Sequence, residues 1–597
     1  MEPDKNWKRF QRLRFSSRDI SKHIKKAETA TTRHARRFIF KRVDNVRIAR
    51  RQIATWLVVV GALIVATWFQ VIWFQESYQT KAVSEGGTYA EASLGPIDTL
   101  NPLYAASDSE VAASRLLFSS LYKYDTSGHL GGDLATKLEI SGKSRVYTID
   151  IRDNVYWSDG ANLTSEDVVF TINLIKDPSA RSPLRVNWQD IDVKAIDENT
   201  VQFTLPAVYA AFPHALTFPV LPKHILGDVA PATVRENGFS QNPVGSGPFS
   251  FRLLQTVDDS QSMKTVHLTG NPDYYGGSPK LARFEVHSYK DMKAMAKALE
   301  TGEVNAAAGI GASDLSAIDR KRFNTITQPI NSGVYSLFNT NNPILNDKTM
   351  RVALRSAIDT NKLRSELRAG QSALDLPFIP EQISGKNIPS APAPDPAQSA
   401  KLLDKKGWKL KGEFRQKGDV PLRFTITTTK ESGYVVAAKS LAEQWKAIGV
   451  DATVSVIDTT NPAVNFLQDT LQPRNFDVLI YELIIGADPD VYAYWHSSQA
   501  GMNGYNLSSY SNDLADTNLS SARVRLEPEI RDAKYIAFAK QWLSDVPAIG
   551  LYQPSLVYVK NKNIEAFNPS NSLVGPSDRF SDILYWSVDS RSVYKTP

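Results

Sequence analysis

A chain of 597 residues is too long for a single compact core, so two to four folding units of about 100–200 residues are expected. With 42% hydrophobic and 22% charged residues, its composition excludes general disorder and a multi-span membrane protein. The absence of cysteine excludes disulfides, thiolate metal sites, a cysteine nucleophile and a lipid-modified cysteine, but it says little about compartment.

The formal charge of +6 is unevenly spread. Residues 1–52 carry 17 Lys and Arg against 5 Asp and Glu, which leaves the remainder with 52 basic and 58 acidic residues. The basic excess therefore belongs to a tail, and no nucleic-acid partner is expected for the large domain. Residues 53–74, IATWLVVVGALIVATWFQVIWF, contain no charge, and as a helix they are long enough to cross a bilayer. Trp56 at one end and Trp68, Trp73 and Phe74 at the other resemble interfacial aromatic belts. Arg47, Arg50 and Arg51 precede the span and Gln75, Glu76 and Ser77 follow it, so the positive-inside rule predicts a cytoplasmic tail and an extracytoplasmic main domain. The long basic region and long span predict an uncleaved signal anchor rather than a cleaved signal peptide.

Residues 75–87 are polar, end in Glu85, Gly86 and Gly87, and read as a short stalk, with the folded portion starting near Thr88. Beyond it, Tyr147, Ile149 and Ile151 alternate with polar neighbours, as do Val201, Phe203 and Leu205. Leu441, Trp445 and Ile448 recur at helical spacing, so strands and helices interleave in an α/β architecture. The proline-rich stretch 385–397 is expected to be an exposed loop, and no internal repeat is present.

Val155-Tyr156-Trp157-Ser158-Asp159-Gly160, followed by Asn162-Leu163-Thr164-Ser165-Glu166-Asp167-Val168, reads as strand, turn and helix. Thr164 is placed to cap the helix, while Glu166 and Asp167 suit the positive end of its dipole. This segment resembles the signature of the family 5 extracellular solute-binding proteins, which include oligopeptide, dipeptide and nickel binders. Further stations in the same order extend the resemblance over roughly residues 88–587. They include Leu100-Asn101-Pro102-Leu103, Val244-Gly245-Ser246-Gly247-Pro248-Phe249, Asn271-Pro272-Asp273-Tyr274-Tyr275 and Ala487-Asp488-Pro489-Asp490.

The resemblance implies a class II periplasmic-binding-protein fold, two lobes that close by a hinge over ligand plus an extra domain. Lobe one is expected at 88–120, 205–335 and 556–597, the extra domain at 121–204, and lobe two at 336–555. It implies delivery of a peptide or other small solute to the permease of an ABC importer, with the lipid bilayer contacted through residues 53–74. Family peptide binders hold the ligand's amino terminus with an Asp three residues before the acid-Pro pair, where this chain has Ile485. Either Glu482 substitutes, or the ligand lacks a free amine. Glu482 also reads as a solvated acid following a strand from Phe476 to Tyr481.

Asp488, and Ser107 and Asp108 in the loop before the helix carrying Arg115, complete the polar ligand-binding candidates. Tyr481, Trp495 and Tyr505 are the candidates for apolar walls. No catalytic residue, metal site or cofactor is expected. The eight histidines lack metal-ligand spacing, and Gly309-Ile310-Gly311 lacks the third glycine and the strand-to-helix setting of a dinucleotide site. A surface receptor or sensor on the same fold is the alternative reading, and an anchored extracellular enzyme is a further one.

Overall fold

A computed structural model describes residues 43–83, 85–258, 263–311, 314–367, 370–459, 463–588 and 590–594, with positions 29, 33 and 461. Most of the basic tail lies outside the described residues. Two units are present, of which the larger spans Val83–Ser590. The smaller contains a 36-residue helix, Val43–Tyr78. Within it Arg50–Phe74 is long and apolar enough to cross a membrane, and its 25 residues rise about 37 Å. Trp56 and Trp68 on this helix are exposed. The stretch read as a stalk begins as the end of this helix and continues as a strand, Gln79–Val83, paired with Ser590–Tyr594.

Three main sheets organise the larger unit. A seven-stranded sheet runs in the order Phe323–Pro329, Ser555–Asn561, Ala306–Ala308, Thr88–Leu94, Arg283–Tyr289, Met263–Gly270 and Phe249–Asp258. A five-stranded sheet runs Asp451–Ile457, Arg423–Thr429, Val478–Ile484, Ser332–Phe338 and Ala548–Tyr552. The third has four antiparallel strands, Ala135–Ser141, Val146–Ile151, Thr200–Thr204 and Asp192–Asp197. The alternation read at Tyr147, Ile149, Val201 and Phe203 is the buried face of this last sheet, with Tyr147 opposite Phe203 and Ile149 opposite Val201.

Each larger sheet is covered on both faces. In the strand Ser332–Phe338, Val334 and Phe338 enter one core, whereas Tyr335 and Leu337 enter the other. Such a strand is buried throughout, so it shows a continuous apolar run instead of alternation. Leu441, Trp445 and Ile448 join the first of these cores from the helix Ser432–Lys446 and its end.

The chain passes between the seven- and five-stranded sheets at two neighbouring points, from Pro329 to Ser332 and from Tyr552 to Ser555. The crossings are hydrogen-bonded to each other: Ile330 N donates to Pro554 O at 3.0 Å, and Gln553 Nε2 donates to Ile330 O at 3.0 Å. Two short neighbouring crossings, running in opposite directions between separate cores, make a hinge geometry.

The recognised motifs are structural. Asp167 closes the start of the helix Ser165–Lys176 by accepting from Thr164 N at 2.8 Å. Ser158 N donates to Gly245 O at 2.8 Å, which docks the first motif on the glycine loop. That loop needs glycine because a Cβ on Gly245 would lie 2.0 Å from Leu117 O. Gly247 N also donates to Leu117 O, at 2.8 Å, and so satisfies the C-terminal end of the helix Asp108–Leu117. The proline-rich stretch is irregular through Asp395, which then caps the helix Pro396–Lys405 by accepting from Gln398 N.

Candidate functional site

The helix Asp108–Leu117 and the strand Val478–Ile484 supply facing parts of a crevice between the two larger sheets. A cavity of about 330 Å³ lies there, walled by Val111, Arg115, Phe118 and Lys123 on one side and by Ile484 and Gly486 on the other, with Asp578 at its edge. Ile484 is 71% exposed despite its size, which leaves an apolar face open inside the crevice. Gly486 has φ of 78°, the left-handed turn that ends this wall and that favours glycine. Its carbonyl accepts from Gln382 Nε2 and its N–H donates to Asn331 O, so the wall is anchored beside the crossing strands.

Glu482 does not follow a strand as expected; it lies within Val478–Ile484, half-buried and paired across the sheet with Val334. Ser332 Oγ donates to Glu482 Oε1 at 2.5 Å, and Tyr434 OH donates to Glu482 Oε2 at 2.8 Å. Burial and the Glu482 charge push the Tyr434 hydroxyl well above its ordinary range, so it remains a donor. A carboxylate held by two hydroxyls retains lone pairs for a cation.

Asp108 begins its helix with an open face to solvent, yet the protein around its carboxyl raises its pKa. Arg579 opposes that rise and Glu482 adds to it, so the two candidate acids lie within each other's field. Ser107 is the cap of the same helix. Its hydroxyl donates to Pro96 O at 2.6 Å and accepts from Glu110 N at 3.1 Å, while Glu110 Oε2 accepts from Ser107 N. Local bonding therefore uses this side chain to orient Asp108.

Asp488 forms an ion pair with Arg531 at 2.7 Å and accepts from Asp490 N at 3.0 Å. Asp490 pairs with Arg523 at 3.1 Å, and the Arg523 guanidinium stacks over Tyr209 and Tyr492. The Ala487–Asp490 motif thus builds a charged joint on which Ala210 N also docks, by donating to Arg523 O. Ile485 is 7% exposed and belongs to the core, and its N–H donates to Asn331 O. No carboxylate occupies that position.

Of the aromatic candidates, Tyr481 is half-buried opposite Tyr335 and lies near Phe466, with ring centroids 6.2 Å apart. Tyr505 is 62% exposed. Trp495 is a correction: it is 0% exposed and sits edge-on to Tyr335 and Trp542 in the core, with no surface to offer a ligand. Sequence alone does not separate a buried tryptophan from one that lines a pocket.

Arg115, Lys123, Ile484, Gly486 and Asp578 were not selected as ligand candidates from the sequence. Arg115 stands in the last turn of its helix, where a basic residue is ordinary, and Asp578 lies 463 positions after it. The structure also gathers His267 and His287 on Glu285, each at 3.0 Å, on neighbouring strands of the seven-stranded sheet. Among the described residues, no group of three or more His, Cys, Asp or Glu is arranged to hold a metal ion.

Known proteins share this architecture over most of their length. The oligopeptide-binding protein AppA of Bacillus subtilis is 26% identical over 500 residues, covering 81% of this chain and 89% of that protein. The structure of AppA from Bacillus subtilis in complex with a nonapeptide superposes with a TM-score of 0.69 at 25% identity, covering 85% of this chain and 99% of that one. NikZ of Campylobacter jejuni in complex with Ni(L-His) gives a TM-score of 0.71 at 26% identity, covering 84% of this chain and 99% of that one. The mixed α/β fold of this chain matches the fold of these binding proteins. The description bacterial extracellular solute-binding proteins, family 5 Middle, matches residues 129–504, and this chain belongs to that family.

Proposed function

We propose that this chain is an extracytoplasmic solute-binding protein that captures peptides and presents them to the permease of an ABC importer. The observation that carries this reading is the crevice of about 330 Å³ whose walls come from both sides of the double crossing. A site divided between two hinged bodies captures by closing, and closure supplies a shape that a transporter can read. AppA, crystallised with a nonapeptide, supports peptide as the solute class. No step of bond making is needed, so binding rather than catalysis is the activity.

The lobes follow the sheets in this proposal. Lobe one comprises 88–120, 205–335 and 556–597, the extra domain 121–204 and lobe two 336–555, with the four-stranded sheet inside the extra domain. The strand Ser332–Phe338 hydrogen-bonds wholly in the five-stranded sheet, so the boundary drawn at 335 moves back to just ahead of Ser332. The helix spanning Arg50–Phe74 serves as the membrane anchor, with the basic tail in the cytoplasm. An anchor keeps the binding protein close to its permease and raises its effective concentration there.

Native mass spectrometry of the full chain, purified in detergent from its expressing cells, tests the solute class. Short peptides of varied sequence are expected to accompany it, and recovery of a single sugar or metal complex would overturn the peptide reading. Retention of the chain in the membrane fraction after alkaline washing tests the anchor.

A further inference from the structure

A second cavity, of about 320 Å³, lies beside the five-stranded sheet. One wall is the edge strand Ala548–Tyr552, through Ala548, Ile549 and Gly550, and another is the proline-rich stretch at residues 391–394. It shares no lining residue with the crevice. Ile484 of the crevice pairs with Ser332, whereas Ala548 of this cavity pairs with Leu337, five residues or roughly 17 Å further along the same strand.

Four charged side chains line this cavity, Arg355, Asp359, Arg364 and Asp375, and three of them are committed to neighbours. Asp359 Oδ1 accepts from Asn361 N at 2.9 Å and from Lys362 N at 3.2 Å, which closes the start of the helix Thr360–Leu367. Arg364 donates to Leu551 O at 2.9 Å and to Asn361 Oδ1 at 2.6 Å, and its Nη1 stands 3.9 Å from Asp375 Oδ1. Arg355 differs. It is half-buried, donates to the main-chain oxygen of Pro392, and makes no other hydrogen bond and no ion pair with the described residues. A guanidinium carries five donors and keeps its charge at any ordinary pH, so most of this fork is unused. Water must satisfy it unless an anion enters.

The other walls narrow the choice of anion. Residues 391–394 are alanine and proline, which bring no polar side chain, and the prolines have no N–H to offer. Ile358, Ile549 and Val546 add aliphatic surface. A carboxylate matches the planar fork of Arg355. Asp359 and Asp375 on the same walls would repel a second negative charge, which disfavours a dianion such as phosphate. The volume is at the lower end for ligand pockets and suits a small molecule.

We propose that this cavity binds a small monocarboxylate with a short aliphatic body, its carboxylate on Arg355 and its chain against Ile358, Ile549 and Pro392. The site lies outside the crevice and does not depend on the solute-binding reading.

Saturation-transfer NMR on the detergent-solubilised full chain tests it, with isovalerate and isovaleramide as probes and inorganic phosphate as competitor at constant ionic strength. Isovalerate is expected to bind saturably at about millimolar concentration, the amide about ten-fold or more weakly, and phosphate should not displace the acid. Arg355→Gln should abolish the preference for acid over amide, and Arg355→Lys should keep part of it. Ala373→Phe, made at an exposed position on the cavity wall, should exclude both probes. Thermal melting reports whether each variant is folded. No saturable binding of isovalerate below about 10 mM, or equal binding of acid and amide, overturns the proposal. An unchanged preference in a folded Arg355→Gln variant overturns the Arg355 assignment, and undiminished binding in a folded Ala373→Phe variant overturns the site. Displacement by phosphate overturns the monocarboxylate class.

Discussion

Ser332 Oγ donates to Glu482 Oε1 at 2.5 Å, which ties the first residue of a crossing strand to the candidate cation-binding carboxylate 150 positions later. The bond lies where the chain passes between the two large sheets. A ligand ammonium at Glu482 would draw on the same oxygens that hold this crossing. Glu482→Gln keeps the shape and removes the charge, so it is expected to weaken peptides with a free amine about ten-fold or more while sparing N-acetylated ones. Titration of the two peptide sets against parent and variant measures the difference.

Asp108 supplies a pH signature. Protein surroundings raise its carboxyl, with Arg579 opposing and Glu482 adding to the rise. A ligand ammonium placed beside it would favour the charged form, so binding would lower its pKa and expel a proton as pH falls into the titration range. Affinity for free-amine peptides should therefore fall as pH is lowered through the raised value of the free protein, and Asp108→Asn should flatten that profile. Titrations between pH 4 and 8 check the slope; a decline that persists unchanged in the variant assigns it to another group.

Glu91 and Arg579 form a fully buried ion pair at 2.5 Å, and Tyr558 OH donates to the second Glu91 oxygen at 2.7 Å. Removing one partner leaves the other charged and unpaired in the core. Arg579→Leu is expected to destabilise the larger unit by about 3–5 kcal/mol, read by urea unfolding. Replacing both partners with apolar residues should recover much of that loss.

Asp545 accepts from Tyr510 OH and Gln541 Nε2, each at 2.8 Å, and pairs with Lys348 at 2.9 Å. Burial raises its carboxyl, but the bonds from Gln541, Lys348 and Tyr510 outweigh burial and hold it below the usual range. Its folded pKa lies below its unfolded one, so its contribution is complete above the unfolded value near 4 and is lost as pH falls through the folded value. Asp545→Asn should cost about 2–3 kcal/mol near pH 7, with the gap narrowing below about pH 5. Thermal melts across that range measure it.

Gly245 permits contact with the end of the helix that bears Asp108 and Arg115. A Cβ there would meet Leu117 O at 2.0 Å, so Gly245→Ala is expected to displace the loop or the helix and cost about 1–3 kcal/mol. Loss of peptide affinity together with stability, in calorimetry and thermal melts, is the expected result.

Sequence by itself determined the apolar span, the α/β class and the family, because charge-free length, local periodicity and short motifs are properties of neighbouring residues. It erred at Trp495, whose burial depends on Tyr335 and Trp542 packing around it from distant segments. It did not place Arg115 on the cavity wall, because whether a guanidinium is paired depends on Asp133 and Asp578 settling elsewhere. Only tertiary structure decided which charges are spent on each other and which face the crevice, since pairing is a matter of a few ångströms between residues far apart along the chain.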